Sequence, residues 1–168
     1  QKYLASDYRG GDMQALVGTA RHDGMEYFED IEVGDTREYG SYTVDAEEIL
    51  AFAGQYDPQP FHTDEEAAAE SFFGGLVASG WHTSAITMRL LVTGIFPDTS
   101  AMGAVGVDEL RWPNPVRPGD ELHVETEVLE TEADYRPGVG LVRSRVETFD
   151  AEGELKQHFV SRALYGQR

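Results

Sequence analysis

The sequence predicts an α+β domain in which a mostly antiparallel sheet wraps one buried helix. Two observations carry this. From about Gly80 to Gly94, Ile86, Met88, Leu90, Leu91 and Val92 leave little polar circumference except Arg89, which reads as a buried helix. Beyond it the period changes to two: Leu122, Val124, Thr126 and Val128 alternate with Glu121, His123, Glu125 and Glu127, the mark of a strand with one wet face.

The elements follow in order. Gln1 to Gly24 is polar, glycine-rich and without periodicity, and is read as an N-terminal extension outside the fold, with Met25 as a candidate start. Arg37 to Val44 reads as a first strand, and Asp45 is a good N-cap for a helix in which Ile49, Phe52, Ala53 and Tyr56 recur at helical spacing. That helix must stop by Pro58. Pro58 and Pro60 then predict a stiff, extended loop from Asp57 to His62. Asp64, Glu65 and Glu66 favour a short helix through Ala69, because acidic groups suit the positive end of the helix dipole. Ser79 can cap the apolar helix.

Four strands are expected after it: Ala101 to Trp112, Leu122 to Val128, Leu141 to Phe149 and Leu155 to Leu164. Pro118-Gly119 supplies a type II turn, and Asp150-Ala151-Glu152-Gly153 a hairpin turn. No internal repeat or low-complexity linker divides the chain, so residues 25–168 are expected to form a single domain.

Composition excludes several functions. The chain has no cysteine, which removes disulfides, thiolate metal sites and cysteine nucleophiles. Its net charge is −18, and only Lys2 and Lys156 among 13 basic residues are lysines. Such a surface repels nucleic acid and anionic membranes, and is the balance expected of proteins from a salt-rich cytoplasm. The longest apolar window, around Ile86 to Phe96, is too short to span a bilayer, so a cytoplasmic location without membrane partners is expected. No phosphate-loop lysine, complete dinucleotide-binding glycine pattern or Gly-x-Ser-x-Gly elbow occurs, and His62 with Asp64 is too sparse for a metal site.

Asp57 and His62 bring a carboxylate and an imidazole together in Asp57-Pro58-Gln59-Pro60-Phe61-His62, a plausible proton-handling pair. This run, with Phe72-Phe73-Gly74-Gly75-Leu76-Val77-Ala78-Ser79-Gly80 and Pro113-Asn114-Pro115-Val116-Arg117-Pro118-Gly119-Asp120, resembles the MaoC-like, R-specific enoyl-CoA hydratase family. The likeness runs from about Phe28 to Leu164 and places Asp57 and His62 on the family's catalytic pair and Gly80 on its helix-start glycine. Gln59 stands where the family usually has Asn, and Ser79 where it usually has His.

The resemblance implies a hot-dog fold, a homodimer or an assembly of dimers with sites between protomers, and hydration of a trans-2-enoyl-CoA to the R-3-hydroxyacyl-CoA. Coenzyme A is then part of the substrate, and no separate cofactor is implied. His62 would activate water, Asp57 would orient it and relay the α-proton, and the Gly80 N–H would meet the thioester oxygen, with no side chain to obstruct its approach. Gln59 would support the water or simply pack, and Ser79 would cap the helix or touch substrate. Arg89, Arg111 and Arg117 are candidates for the coenzyme A phosphates. Two alternatives remain: a thioesterase, disfavoured because Gly80 to Gly94 holds no acidic residue, and a non-catalytic acyl-CoA or partner-binding module, disfavoured because both Asp57 and His62 are present.

Overall fold

The computed structural model describes residues 24–94 and 98–168. All but one residue of the expected N-terminal extension thus lies outside the described residues. The described chain opens with a 3-10 turn, Phe28–Asp30, followed by β1 (Thr36–Thr43), α1 (Ala46–Tyr56), α2 (Pro60–Thr63), α3 (Glu65–Glu70) and α4 (Gly80–Gly94). The remaining elements are β2 (Ala101–Arg111), β3 (Glu121–Arg136), β4 (Val139–Phe149) and β5 (Leu155–Gly166). The strands form one antiparallel five-stranded sheet in the order β1-β3-β4-β5-β2. α4 lies against its inner face, where Ile86, Leu90 and Leu91 join Leu122, Val124, Val146 and Phe159 in the core. A sheet curled around one helix is the hot-dog arrangement that the resemblance implied.

Local chemistry explains the helix boundaries. Asp45 Oδ1 accepts the Glu47 N–H at 2.7 Å and caps α1, and Asp64 Oδ1 accepts the Ala67 N–H at 2.8 Å and caps α3. The turn at Arg117–Asp120 is type II as expected: Gly119 has φ +90° and the Asp120 N–H bonds the Arg117 carbonyl at 3.1 Å.

Two expectations are corrected. The segment after Asp57 is not extended throughout, because Pro60 opens the one-turn helix α2; proline lacks an N–H and has a fixed φ, which the first helical position tolerates. α4 is not buried on all sides. His82, Thr83, Ile86, Thr87, Leu90 and Leu91 face the protein, while Trp81, Met88 and Val92 are 60%, 46% and 45% exposed on the opposite stripe.

Candidate active site

α1 ends where Pro58 approaches, so Asp57 occupies its C-cap and its N–H returns to the Ala53 carbonyl at 2.9 Å. The following turn is closed by the Gln59 N–H to the Asp57 carbonyl at 2.7 Å and the His62 N–H to the Gln59 carbonyl at 2.9 Å. These bonds bring His62 Nε2 to 3.5 Å from Asp57 Oδ2. The other ring nitrogen, Nδ1, lies 2.7 Å from the Val77 carbonyl oxygen. A carbonyl can only accept, so Nδ1 carries the proton and Nε2 of the neutral ring is left as a base. The imidazole is buried, its side chain only 7% exposed.

The Asp57 carboxylate is equally well defined. Ser79 Oγ donates to Oδ2 at 2.7 Å and Gln59 Nε2 donates to Oδ1 at 2.8 Å. The Ser79 hydrogen bond, helped by that of Gln59 and by His62 and opposed by burial, holds the Asp57 pKa below the ordinary carboxylate value. Gln59 therefore reaches the dyad despite its extra methylene. Ser79 caps the helix, its oxygen accepting the Trp81 N–H at 3.2 Å, and it has a second use that its position before a helix does not reveal: its hydroxyl proton goes to Asp57.

Gly80 is the first residue of α4, where N–H groups have no partner within the helix and the positive dipole end is concentrated. Its missing side chain has a structural use that the sequence reading missed. A Cβ there would lie 2.5 Å from the Trp112 indole, which packs over Gly80 and meets Trp81 edge-on with ring centroids 5.1 Å apart. The indole N–H is tethered to Gln157 Oε1 at 2.8 Å, and Gln157 Nε2 donates to Thr87 Oγ1 at 2.9 Å within the buried face of α4. Trp112 stands immediately before the Pro113 to Asp120 motif and is one of only two tryptophans, but nothing in its spacing tied it to Gly80.

Each candidate phosphate ligand has a partner within the protein. Arg117 Nη2 donates to the Phe73 carbonyl at 2.7 Å, Arg111 Nη1 to its neighbour Leu110 at 2.9 Å, and the Arg89 guanidinium lies over the Tyr42 ring at 5.4 Å. His82 is packed, stacked on Phe52 with ring centroids 4.6 Å apart and with Nε2 3.3 Å from Glu48 Oε1. A depression of about 290 Å³ lined by Glu38, Glu125, Glu127, Arg145 and Glu147 among others shares no residue with the dyad. Among the described residues no group of three or more His, Asp or Glu side chains is arranged to hold a metal ion.

Residues 30–149 match the family described as MaoC like domain. The uncharacterized protein YdeM of Bacillus subtilis is 32% identical over 129 residues, 73% of this chain and 91% of the relative. The crystal structure of the MaoC-like dehydratase from Rhodospirillum rubrum is 50% identical with a TM-score of 0.78, covering 84% of this chain and 97% of that one. The unliganded R-hydratase PhaJ1 from Pseudomonas aeruginosa is 25% identical with a TM-score of 0.67, covering 84% and 86%.

Proposed function

Because this chain belongs to the MaoC-like domain family, we propose that it adds water reversibly to a trans-2-enoyl-CoA thioester and yields the R-3-hydroxyacyl-CoA. The observation that carries the reading is the pair of acceptors 3.5 Å apart, His62 Nε2 and Asp57 Oδ2, made so by a carbonyl on Nδ1 and by donors on Asp57. One water donating a hydrogen to each acceptor would be aimed by both. His62 takes a proton as the water oxygen bonds the β-carbon, and the alkene electrons move toward the thioester oxygen, which the Gly80 N–H meets. The enolate then collects a proton at the α-carbon on the same face. The low pKa of Asp57 makes it a poor carrier of that proton, which favours return from the His62 imidazolium, with Asp57 stabilising the cation. The sum is water across one double bond, with no cofactor consumed.

Thioester hydrolysis is the weaker alternative, since α4 offers no Asp or Glu to activate a water there. The reading carries with it a cytoplasmic location and a homodimer or an assembly of dimers.

The test mixes purified protein with a short trans-2-enoyl-CoA and follows the conjugated-alkene absorbance. We expect its loss and an R-3-hydroxyacyl product, with Asp57→Asn and His62→Gln each slowing turnover on the order of a hundredfold or more and the double variant losing far less than their product. Release of free thiol without hydration would reassign the chain as a thioesterase. Binding without turnover would leave a carrier module.

A further inference from the structure

The two sequence motifs meet at one peptide group. The Val77 carbonyl that receives His62 Nδ1–H belongs to the peptide unit joining Val77 to Ala78, and the N–H of that unit donates to the Val116 carbonyl at 2.9 Å. A trans peptide is planar, with its C=O and N–H pointing in opposite directions, so it acts as a rigid link between Val116 and the imidazole. Turning that plane breaks both bonds.

The segment leading to this link is held by Arg117. Its guanidinium donates to the Phe73 carbonyl at 2.7 Å. Between Phe73 and the link lie Gly74, with φ +64°, and Gly75, which allow the chain much freedom, and Phe72 beside them is 98% exposed. Arg117 itself stands on a fixed base. Its N–H donates to Asp120 Oδ2 at 2.8 Å, and the buried Lys156 Nζ donates to the Pro115 carbonyl at 3.2 Å and lies 3.7 Å from the same Asp120 oxygen.

The alternative tautomer of His62 shows what this arrangement prevents. With its proton on Nε2, the ring would donate to the Asp57 carboxylate 3.5 Å away, a charge-assisted contact that closes the dyad on itself. No lone pair would then remain at Nε2 for a water. The Val77 carbonyl is what favours the open form.

We propose, building on the hydratase reading, that Arg117 is a positioning residue for His62: by fastening the 73–78 segment it fixes the peptide plane that keeps the proton on Nδ1 and Nε2 free. Its role is then mechanical, at the dyad, rather than that of a phosphate ligand.

The experiment reads the tautomer directly from ¹⁵N shifts and long-range couplings of the histidine rings, on the full chain. Wild type should give His62 protonated at Nδ1. Arg117→Met should give a mixture of tautomers and lower kcat on the order of tenfold, with KM for a short enoyl-CoA within about twofold, because only the base is misplaced. Arg117→Lys, which keeps a donor for the Phe73 carbonyl, should recover most of both signals. If Arg117→Met does not fold, Arg117→Gln, which is shorter and neutral, takes its place in the same comparison. A pure Nδ1–H signal in a folded Arg117→Met or Arg117→Gln variant would overturn the proposal. So would a KM rise of an order of magnitude at unchanged kcat, the behaviour of a lost phosphate contact. An inactive wild type whose variants nonetheless shift the tautomer would overturn the hydratase reading and leave the brace standing.

Discussion

The local chemistry at Ser79 gives a test of how the dyad is poised. Its hydroxyl is the leading reason that the Asp57 pKa lies below the ordinary value. A carboxylate with a depressed folded pKa stabilises the native state above its unfolded pKa, about 3.9, and that stability is lost as the pH falls through the folded value. Ser79→Ala should therefore lower the melting temperature by a constant amount at neutral and mildly acidic pH, and below about pH 4 the gap from wild type should narrow to the part owed to the lost helix cap. A gap that is unchanged at pH 2 would mean that Ser79 acts only as a cap. At this scale the spacing of Asp57, Gln59 and His62 was legible because all three lie on one short segment, and Ser79 because it precedes a helix. Trp112, Gln157 and the Val77 carbonyl were not. They reach the site through tertiary packing and, for Val77, through a backbone atom that side-chain identity does not reveal.

Between elements, the turns are held by one lysine. Lys156 is 5% exposed, and its ammonium lies 3.0 Å from Asp150 Oδ2, pairs with Glu154 and bonds the Pro115 carbonyl. Burial works against its charge, but the bonds to Glu154 and Asp150 outweigh it and raise the pKa; Asp150 is opposed by burial likewise, and its backbone donors and Lys156 lower its pKa. Lys156→Met fills the space but leaves Asp150 buried without its cation, which should cost about 3–5 kcal/mol in chemical denaturation, whereas an exposed ion pair would cost less than about 1. Nothing in the sequence marks Lys156 beyond the rarity of lysine. Element limits were read well where periodicity was clean: α4 has the expected bounds, and β5 differs only at its end. Alternation predicts β3 only as far as Val128, but the strand continues to Arg136, because the register shifts between Val128 and Glu130 and the inward and outward positions exchange. A strict alternation test stops at such a bulge.

For the whole molecule, charge and exposed apolar surface make separate demands. Glu38, Glu125 and Glu147 lie directly opposite one another across β1, β3 and β4, a row of like charges countered at one end by Arg145, whose Nε lies 3.4 Å from Glu147 Oε2. Potassium chloride should therefore raise the melting temperature from low to molar salt, and Glu125→Gln should stabilise by about 0.5 kcal/mol at low salt and by almost nothing at 1 M, where screening acts within about 3 Å. A melting temperature that falls steadily with salt would remove the proposed adaptation to a salt-rich cytoplasm. β1 protects its edge with Arg37 and Glu38, but the edge strand β2 exposes Met102, Val105 and Val107, and α4 exposes Trp81, Met88 and Val92. A second copy covering both is expected, and light scattering should give twice the chain mass or an even multiple; Val105→Lys should shift it toward monomer. An active monomer would refute that assembly. The placement of the aromatic residues has an optical consequence. Trp81 and Trp112, the two tryptophans of the chain, meet at 74° beside Gly80, so all indole emission of the molecule originates at one end of one helix. Fluorescence here is a local signal: quenching by a bound thioester reports occupancy at α4, and the near-ultraviolet dichroism of the crossed rings reports whether that helix end is in place.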